Sequence, residues 1–292
     1  MMYFIICNNM YILGGTASYS VAKDLSKILK ATLAETISKR FPDDEFYVRI
    51  LDDVKGKDIA IVQTTYPDPN LVELFLLQNA AEESGAKTVT VVIPYYGYAR
   101  QDTKFKDGEA ISAKALAGLI SLNADKVITV DPHKEHILDF FSTSAESCTA
   151  IPEIAKYLGQ KKIDLVLAPD KGALDRSKHA SKIIGCDFDY MEKTRIDGST
   201  VEMNPKKLDA ENKTVAIIDD IISTGGTMAL AIKELKKHGA KKVFVACTHG
   251  LFAGDAVKKL NNAGCDEIIS TDTILSTHSK VRIAPSIAEK FK

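Results

Sequence analysis

The chain has 292 residues, 45% hydrophobic and 26% charged, the composition of a protein that buries a core without cross-links. Its 38 basic and 39 acidic residues nearly cancel, so no global field favours nucleic acid or an anionic membrane, and any anion site must be local. The five cysteines, Cys7, Cys148, Cys186, Cys247 and Cys265, form no C-x-x-C pair, which reads as reduced thiols of a cytoplasmic protein, not a disulfide framework or a zinc site.

The opening MMYFIIC is apolar but lacks the basic leader of a signal peptide, and no stretch approaches the ~20 apolar residues of a membrane span. Met10 offers a second plausible start, so the first nine residues read as an extension of the first strand or as a mis-assigned beginning. YIL (11–13) reads as a strand and SYSVAKDLSKILK (18–30) as a helix, with Val21, Leu25, Ile28 and Leu29 on its inner face. DIAIV (58–62) is a short apolar run of the buried-strand type. LVELFLLQNAAEES (71–84) is a helix stopped by Gly85, apolar on more than one face, which reads as burial ahead of subunit contact. TVTVVI (88–93), a helix over 109–123 and KVITV (126–130) follow. Strands alternating with helices imply a parallel sheet covered by helices, an α/β fold.

The second half repeats the first. KDIAIVQTTYPDPN resembles KTVAIIDDIISTGG, Gly85-Ala86-Lys87 aligns with Gly239-Ala240-Lys241, and NADKVITVDPH is echoed by AGCDEIISTDT. A repeat of half the chain means tandem domains. The Ser/Thr-rich STSAESCTA marks their border, giving 1–147 and 148–292, with a tail from about 281 that fits neither copy and is expected to pack on the first.

Only the second copy carries an acid pair at its strand end. In VAIIDDIISTGGTMALAIKELKK, Asp219 and Asp220 close a buried strand, Ser223, Thr224, Gly225, Gly226 and Thr227 follow, and a helix begins with Met228, Ala231, Ile232 and Leu235 inward. Ligands of open α/β sheets bind at the carboxyl ends of strands. A helix N-terminus with glycines and hydroxyls before it suits phosphate, whereas paired carboxylates suit vicinal hydroxyls, or Mg²⁺ through water. The combination describes a sugar phosphate.

This string is similar to the phosphoribosyl pyrophosphate signature of type I phosphoribosyltransferases. In them the acids hold the ribose hydroxyls and the loop holds the 5-phosphate, which maps onto Asp219, Asp220, Ser223, Thr224, Gly225, Gly226 and Thr227. Further segments, FPDDE (41–45), PYYGYARQD (94–102), DPHKEH (131–136), APDKGA (168–173) and EKTR (192–195), resemble ribose-phosphate pyrophosphokinase, from about residue 10 to THGLF at 248–252. The resemblance implies two tandem type I phosphoribosyltransferase-like domains, each a mainly parallel sheet flanked by helices, the first on the ATP side and in oligomer contacts. It implies transfer of the β,γ-pyrophosphoryl group of Mg-ATP to the C1 hydroxyl of ribose 5-phosphate, in a homo-oligomer of at least two chains.

Read alone, each segment has a plainer meaning: a strand entry with Phe41 in the core, a basic loop around Arg100, a helix-capping Asp170, and a surface Lys193-x-Arg195 pair in a mobile loop lacking periodicity. By resemblance, Phe41, Asp43 and Glu45 contact adenine from a neighbouring subunit, with Asp44 where many relatives have Gly. Arg100, Gln101 and Asp102 contact ATP, His133 and Asp170 serve Mg²⁺, and Lys193 and Arg195 close over the transferring group. His136 is expected to be peripheral. A phosphoribosyltransferase that consumes phosphoribosyl pyrophosphate, or a non-catalytic regulatory homologue, shares part of this pattern. The lack of G-x-x-x-x-G-K-[ST] and of G-x-G-x-x-G disfavours a Walker loop and a dinucleotide site.

Overall fold

The computed structural model describes residues 9–195, 201–204 and 210–292, of which 192–195 and 201–204 are described by their backbone. The chain divides into two compact units, Met1–Thr149 with Ile283–Lys292, and Ala150–Arg282.

The first unit runs β1 (Met10–Gly14), α1 (Tyr19–Leu29), β2 (Thr32–Leu33), β3 (Thr36–Arg40), β4 (Phe46–Ile50), β5 (Asp58–Val62), α2 (Pro69–Glu83), β6 (Thr88–Ile93), α3 (Ser112–Ser121), β7 (Lys126–Val130) and β8 (Ser144–Cys148). Its sheet has the order β2-β1-β5-β6-β7-β8, parallel throughout, and β3 and β4 form a separate antiparallel hairpin.

The second unit runs α4 (Ile151–Gly159), β9 (Leu165–Ala168), α5 (Leu174–Ile184), β10 (Asp187–Tyr190), β11 (Glu192–Arg195), β12 (Val201–Asn204), β13 (Thr214–Ile222), α6 (Gly226–Lys237), β14 (Lys242–Gly250), α7 (Ala256–Asn262), β15 (Glu267–Thr271) and β16 (Ser279–Val281). The sheet order β10-β9-β13-β14-β15-β16, again parallel, reproduces that of the first. A short α8 (Ala284–Ala288) rejoins the first unit against α1, and Lys126 donates from Nζ to the Lys290 carbonyl at 3.2 Å.

Sheets covered on both faces are built from apolar runs. In β5, Ile59, Ala60, Ile61 and Val62 are all at most 1% exposed. Leu13, Ile61, Leu74, Val91 and Ile120 belong to one core, and Leu167, Ile217, Ile232, Val245 and Leu260 to the other. The inner face expected for α6, Met228, Ala231, Ile232 and Leu235, is buried.

Several local expectations change. Ile28 is exposed, and α1 buries Val21, Ala22, Leu25, Ser26 and Leu29, a stripe that leaves position 28 at its edge. The helix expected over 109–123 starts only at Ser112, because the Glu109 carboxylate turns back to accept the N–H groups of Phe105 and Lys106 at 2.8 and 3.1 Å. In α2 one face is buried through Leu71, Leu74, Leu77 and Ala81, but Val72 is half exposed. Residues 192–195, read as an irregular loop, are a strand: β11 pairs antiparallel with β12, with Lys193 opposite Met203 and Arg195 opposite Val201. Backbone pairing holds this hairpin, and it leaves no apolar period to read.

Candidate functional site

In the second unit, β13 delivers the acid pair to the carboxyl end of the sheet. Asp219 lies in register with Cys247 of β14. Each carboxylate accepts the next backbone N–H, Asp220 N to Asp219 Oδ1 and Ile221 N to Asp220 Oδ1, both at 2.9 Å. These bonds fix the side chains beside the strand. Burial, and then the neighbouring charge of Asp220, push the Asp219 carboxyl up to about 8. Opposing that rise is Arg176, whose Nη1 lies 3.2 Å from Asp219 Oδ1 and 3.7 Å from Asp220 Oδ1. The substrate-free pair therefore keeps a proton near neutral pH. Its oxygens can both accept from and donate to a vicinal diol.

Arg176 is the functional residue that sequence reasoning missed. It sits in the first turn of α5, which follows the strand-end residues 168–170. A cation there opposes the helix dipole, and that misfit was the available signal that the residue serves a neighbouring acid.

The loop after β13 turns into α6 through Gly225, which has φ 73° and stands at the helix N-cap. A Cβ at Gly225 would meet the Ala256 carbonyl at 3.2 Å, so both backbone and space require glycine. The loop's carbonyls are used, since Phe252 N donates to Ile222 O at 3.0 Å and Ala253 N to Ser223 O at 2.9 Å. The first-turn N–H groups of α6 have no intrahelical acceptor, and no side chain caps that end. Ser223, Thr224, Gly226 and Thr227 line the same turn, with Thr224 and Gly226 exposed. The arrangement suits an anion beside a diol, and Asp219, Asp220 and residues 223–227 are brought together.

Asp170 closes the strand end next to β13. Its Oδ1 accepts Gly172 N at 2.9 Å, the capping contact of its plainer reading.

In the first unit, the β3–β4 hairpin carries Phe41, Asp43 and Glu45 at its tip. Phe41 is 43% exposed, not a core residue, and packs edge-on against Tyr47 at 5.5 Å. Asp43 and Glu45 are also exposed. Asp44 takes φ 70°, a region that Asp tolerates better than most residues. Arg40 steadies the turn, donating from Nη1 to Asp44 O at 2.6 Å and pairing with its carboxylate at 3.0 Å. An acid thus stands where the turn's geometry suits glycine.

The segment after β6 is fastened by its aromatic residues. Tyr95 and Tyr96 are buried, Tyr96 donates to Ala113 O at 2.6 Å, and Gly97 N donates to Thr65 Oγ1 at 2.7 Å. Beyond this anchor Arg100 is exposed, and Gln101 donates to Thr103 O at 3.1 Å. Asp102 is 3% exposed, and its Oδ2 lies 3.0 Å from Lys134 Nζ and 3.2 Å from His136 Nε2. His133 is exposed, just beyond Asp131 (φ 35°) and buried Pro132 after β7. The side chains of Lys193 and Arg195 lie outside the described residues. Among the described residues no three His, Cys, Asp or Glu side chains converge to hold a metal ion.

Two family models match the chain: the N-terminal domain of ribose phosphate pyrophosphokinase over residues 10–123 and a phosphoribosyl transferase domain over residues 146–279. The ribose-phosphate pyrophosphokinase of Methanothermobacter thermautotrophicus is 39% identical, covering 96% of this chain and 99% of that protein. That of Sulfolobus acidocaldarius is 43% identical, covering 97% and 100%. Among solved structures, phosphoribosylpyrophosphate synthetase from Mycobacterium smegmatis matches with TM-score 0.84 and 29% identity over 97% of both chains.

Proposed function

Because the chain belongs to the ribose-phosphate pyrophosphokinase family, we propose that it transfers the β,γ-pyrophosphoryl group of ATP to the C1 hydroxyl of ribose 5-phosphate, releasing phosphoribosyl pyrophosphate and AMP. The observation that carries this reading is the acid pair on β13 beside the anion-binding turn, where a diol and a phosphate of one small molecule are recognised together.

In this reading the 5-phosphate docks on residues 223–227, and the 2- and 3-hydroxyls dock on Asp219 and Asp220, with Arg176 setting the charge of that pair. ATP is assigned to Phe41, Asp43, Glu45, Arg100 and Gln101, with Phe41 offering a ring face and Arg100 a fixed cation. Asp102 belongs to the same loop. Phosphoryl chemistry needs alignment and charge neutralisation above all, and Lys193 and Arg195 are assigned to the transferring group.

Magnesium fits the donor set. The ion is usually held by one or two protein groups together with substrate phosphates. By the family resemblance, His133 of the first unit and Asp170 of the second are each assigned to magnesium binding. When bound it would neutralise phosphate charge. We place the enzyme in the cytoplasm as a homo-oligomer; among the described residues no helix is long and apolar enough to cross a membrane.

The test is an assay of purified protein with ribose 5-phosphate, ATP and Mg²⁺. Equimolar AMP and phosphoribosyl pyrophosphate is the expected result. ADP in place of AMP would overturn pyrophosphoryl transfer, and no turnover with tight binding of phosphoribosyl pyrophosphate would favour a transferase.

A further inference from the structure

Strands β6 and β7 are neighbours in the first sheet, so the segments that leave their carboxyl ends lie side by side. One carries Arg100 and Gln101, the other His133. Both have irregular backbone, with positive φ at Tyr98 (64°) and Asp131 (35°). Asp102 is a side chain that reaches from the first segment to the second. Its side chain is 2% exposed, while the partners it meets, Lys134 and His136, are 53% and 44% exposed. The buried carboxylate belongs to one segment, and its half-exposed partners, an ammonium and an imidazole, belong to the other. Lys134 holds Oδ2 by hydrogen bonding as well as by charge, and His136 Nε2 stands beside the same oxygen. His136 is held in turn by an edge contact with Phe140 at 5.7 Å between ring centroids.

We infer that Asp102 is a positioning residue: through Lys134 and His136 it clamps the segment carrying Arg100 and Gln101 to the segment carrying His133, and so sets ATP affinity without touching ATP. The inference rests on the proposed function. Burial resists ionisation of Asp102, but the Lys134 ammonium, with a smaller part from His136, outweighs it and holds the carboxyl below its ordinary value. The clamp is therefore charged at physiological pH.

The test compares Asp102→Asn, His136→Gln and His136→Ala with the wild type. KM for ATP, KM for ribose 5-phosphate and kcat are measured by AMP release, and the ATP Kd by calorimetry. Asp102→Asn removes the charge at constant shape and is expected to raise KM and Kd for ATP by about ten-fold. The expected kcat is within about three-fold and KM for ribose 5-phosphate stays at its wild-type value. His136→Gln keeps an N–H within reach of Oδ2 and is expected to retain ATP affinity, whereas His136→Ala loses about three-fold. If Asp102→Asn fails to fold, the two variants at the half-exposed His136 decide the matter by themselves. Equal ATP affinity for the folded variants and the wild type overturns the clamp, as does a fall in kcat with unchanged ATP affinity. A wild type that releases no AMP sinks the proposed function instead, and the calorimetric Kd values still judge the clamp.

Discussion

Asp219→Asn tests the electrostatics of the acid pair without any substrate. Burial and the Asp220 charge raise the Asp219 carboxyl from 3.8 to about 8 in the folded chain. A folded-state value above the unfolded one gives stability that is fully present below pH 3.8 and lost as the pH rises through about 8. Between those limits the unfolded chain has released the proton and the folded chain has kept it, so stability falls by about 1.4 kcal/mol per pH unit. Asn does not titrate. From pH 6 to pH 7.5 the variant is therefore expected to gain about 2 kcal/mol relative to the wild type. For a unit of this size that is a melting-point difference on the order of 5 °C. Circular dichroism melts of both proteins in substrate-free buffer at pH 5.5, 6.5, 7.5 and 8.5 read the effect. Melting curves that stay parallel across this range would refute the reasoning, because Asp219 would then be ionised throughout.

Arg176→Met removes the cation that opposes protonation of the pair. It is expected to raise KM for ribose 5-phosphate about ten-fold at pH 7 and to move the alkaline rise of kcat/KM upward, both read from a pH profile of AMP release. Gly225→Ala combines φ 73° with a Cβ 3.2 Å from the Ala256 carbonyl. The expected loss is about 1–3 kcal/mol of stability together with most ribose 5-phosphate affinity, checked by melting and by calorimetry. Lys193→Ala is expected to lower kcat by ~10²–10³ and to change ribose 5-phosphate binding little. Wild-type kcat in this variant would remove Lys193 from the catalytic role.

The α/β class, the parallel sheets and the duplication were legible because buried parallel strands are written as uninterrupted apolar runs. DIAIV, TVTVVI and KVITV could be recognised one at a time, and VAII could be aligned with its counterpart. The acid pair and the loop after it were legible because chemistry there demands particular residue types at adjacent positions. What could not be read were features made by pairing across space. β11 and β12 are held by a backbone ladder that sets Lys193 and Arg195 opposite Met203 and Val201, Glu109 leaves its expected helix to cap a loop, and Arg176 meets Asp219 from 43 positions away. Asp102 shows the same limit: its burial against Lys134 and His136 appears only when β6 and β7 are set side by side.

The two copies differ at one matched strand end, where the second has Asp219-Asp220 and the first has Gln63-Thr64. β1, β5 and β6 hold the sheet positions of β9, β13 and β14, so Gln63 falls where the second copy has Asp219. Gln63 is fully buried and donates to Glu73 Oε2 at 2.6 Å. Glu73, itself fully buried, also accepts from Thr16 N at 3.0 Å and Thr16 Oγ1 at 2.6 Å. The Gln63 side chain lies so close over Gly15 that a Cβ there would come within 2.3 Å of it. In the first unit, then, the strand-end crevice is already filled by the protein's own Glu73 side chain, whose oxygens accept from Thr16 and Gln63. In the second unit the corresponding strand ends in carboxylates beside Arg176, and the turn after them leads into a helix end without a capping side chain. Filling one crevice leaves the first sheet to act as a rigid base for the segments after β3, β6 and β7, which carry the residues assigned to ATP. On the proposed assignment, two units of the same sheet order take different ligands.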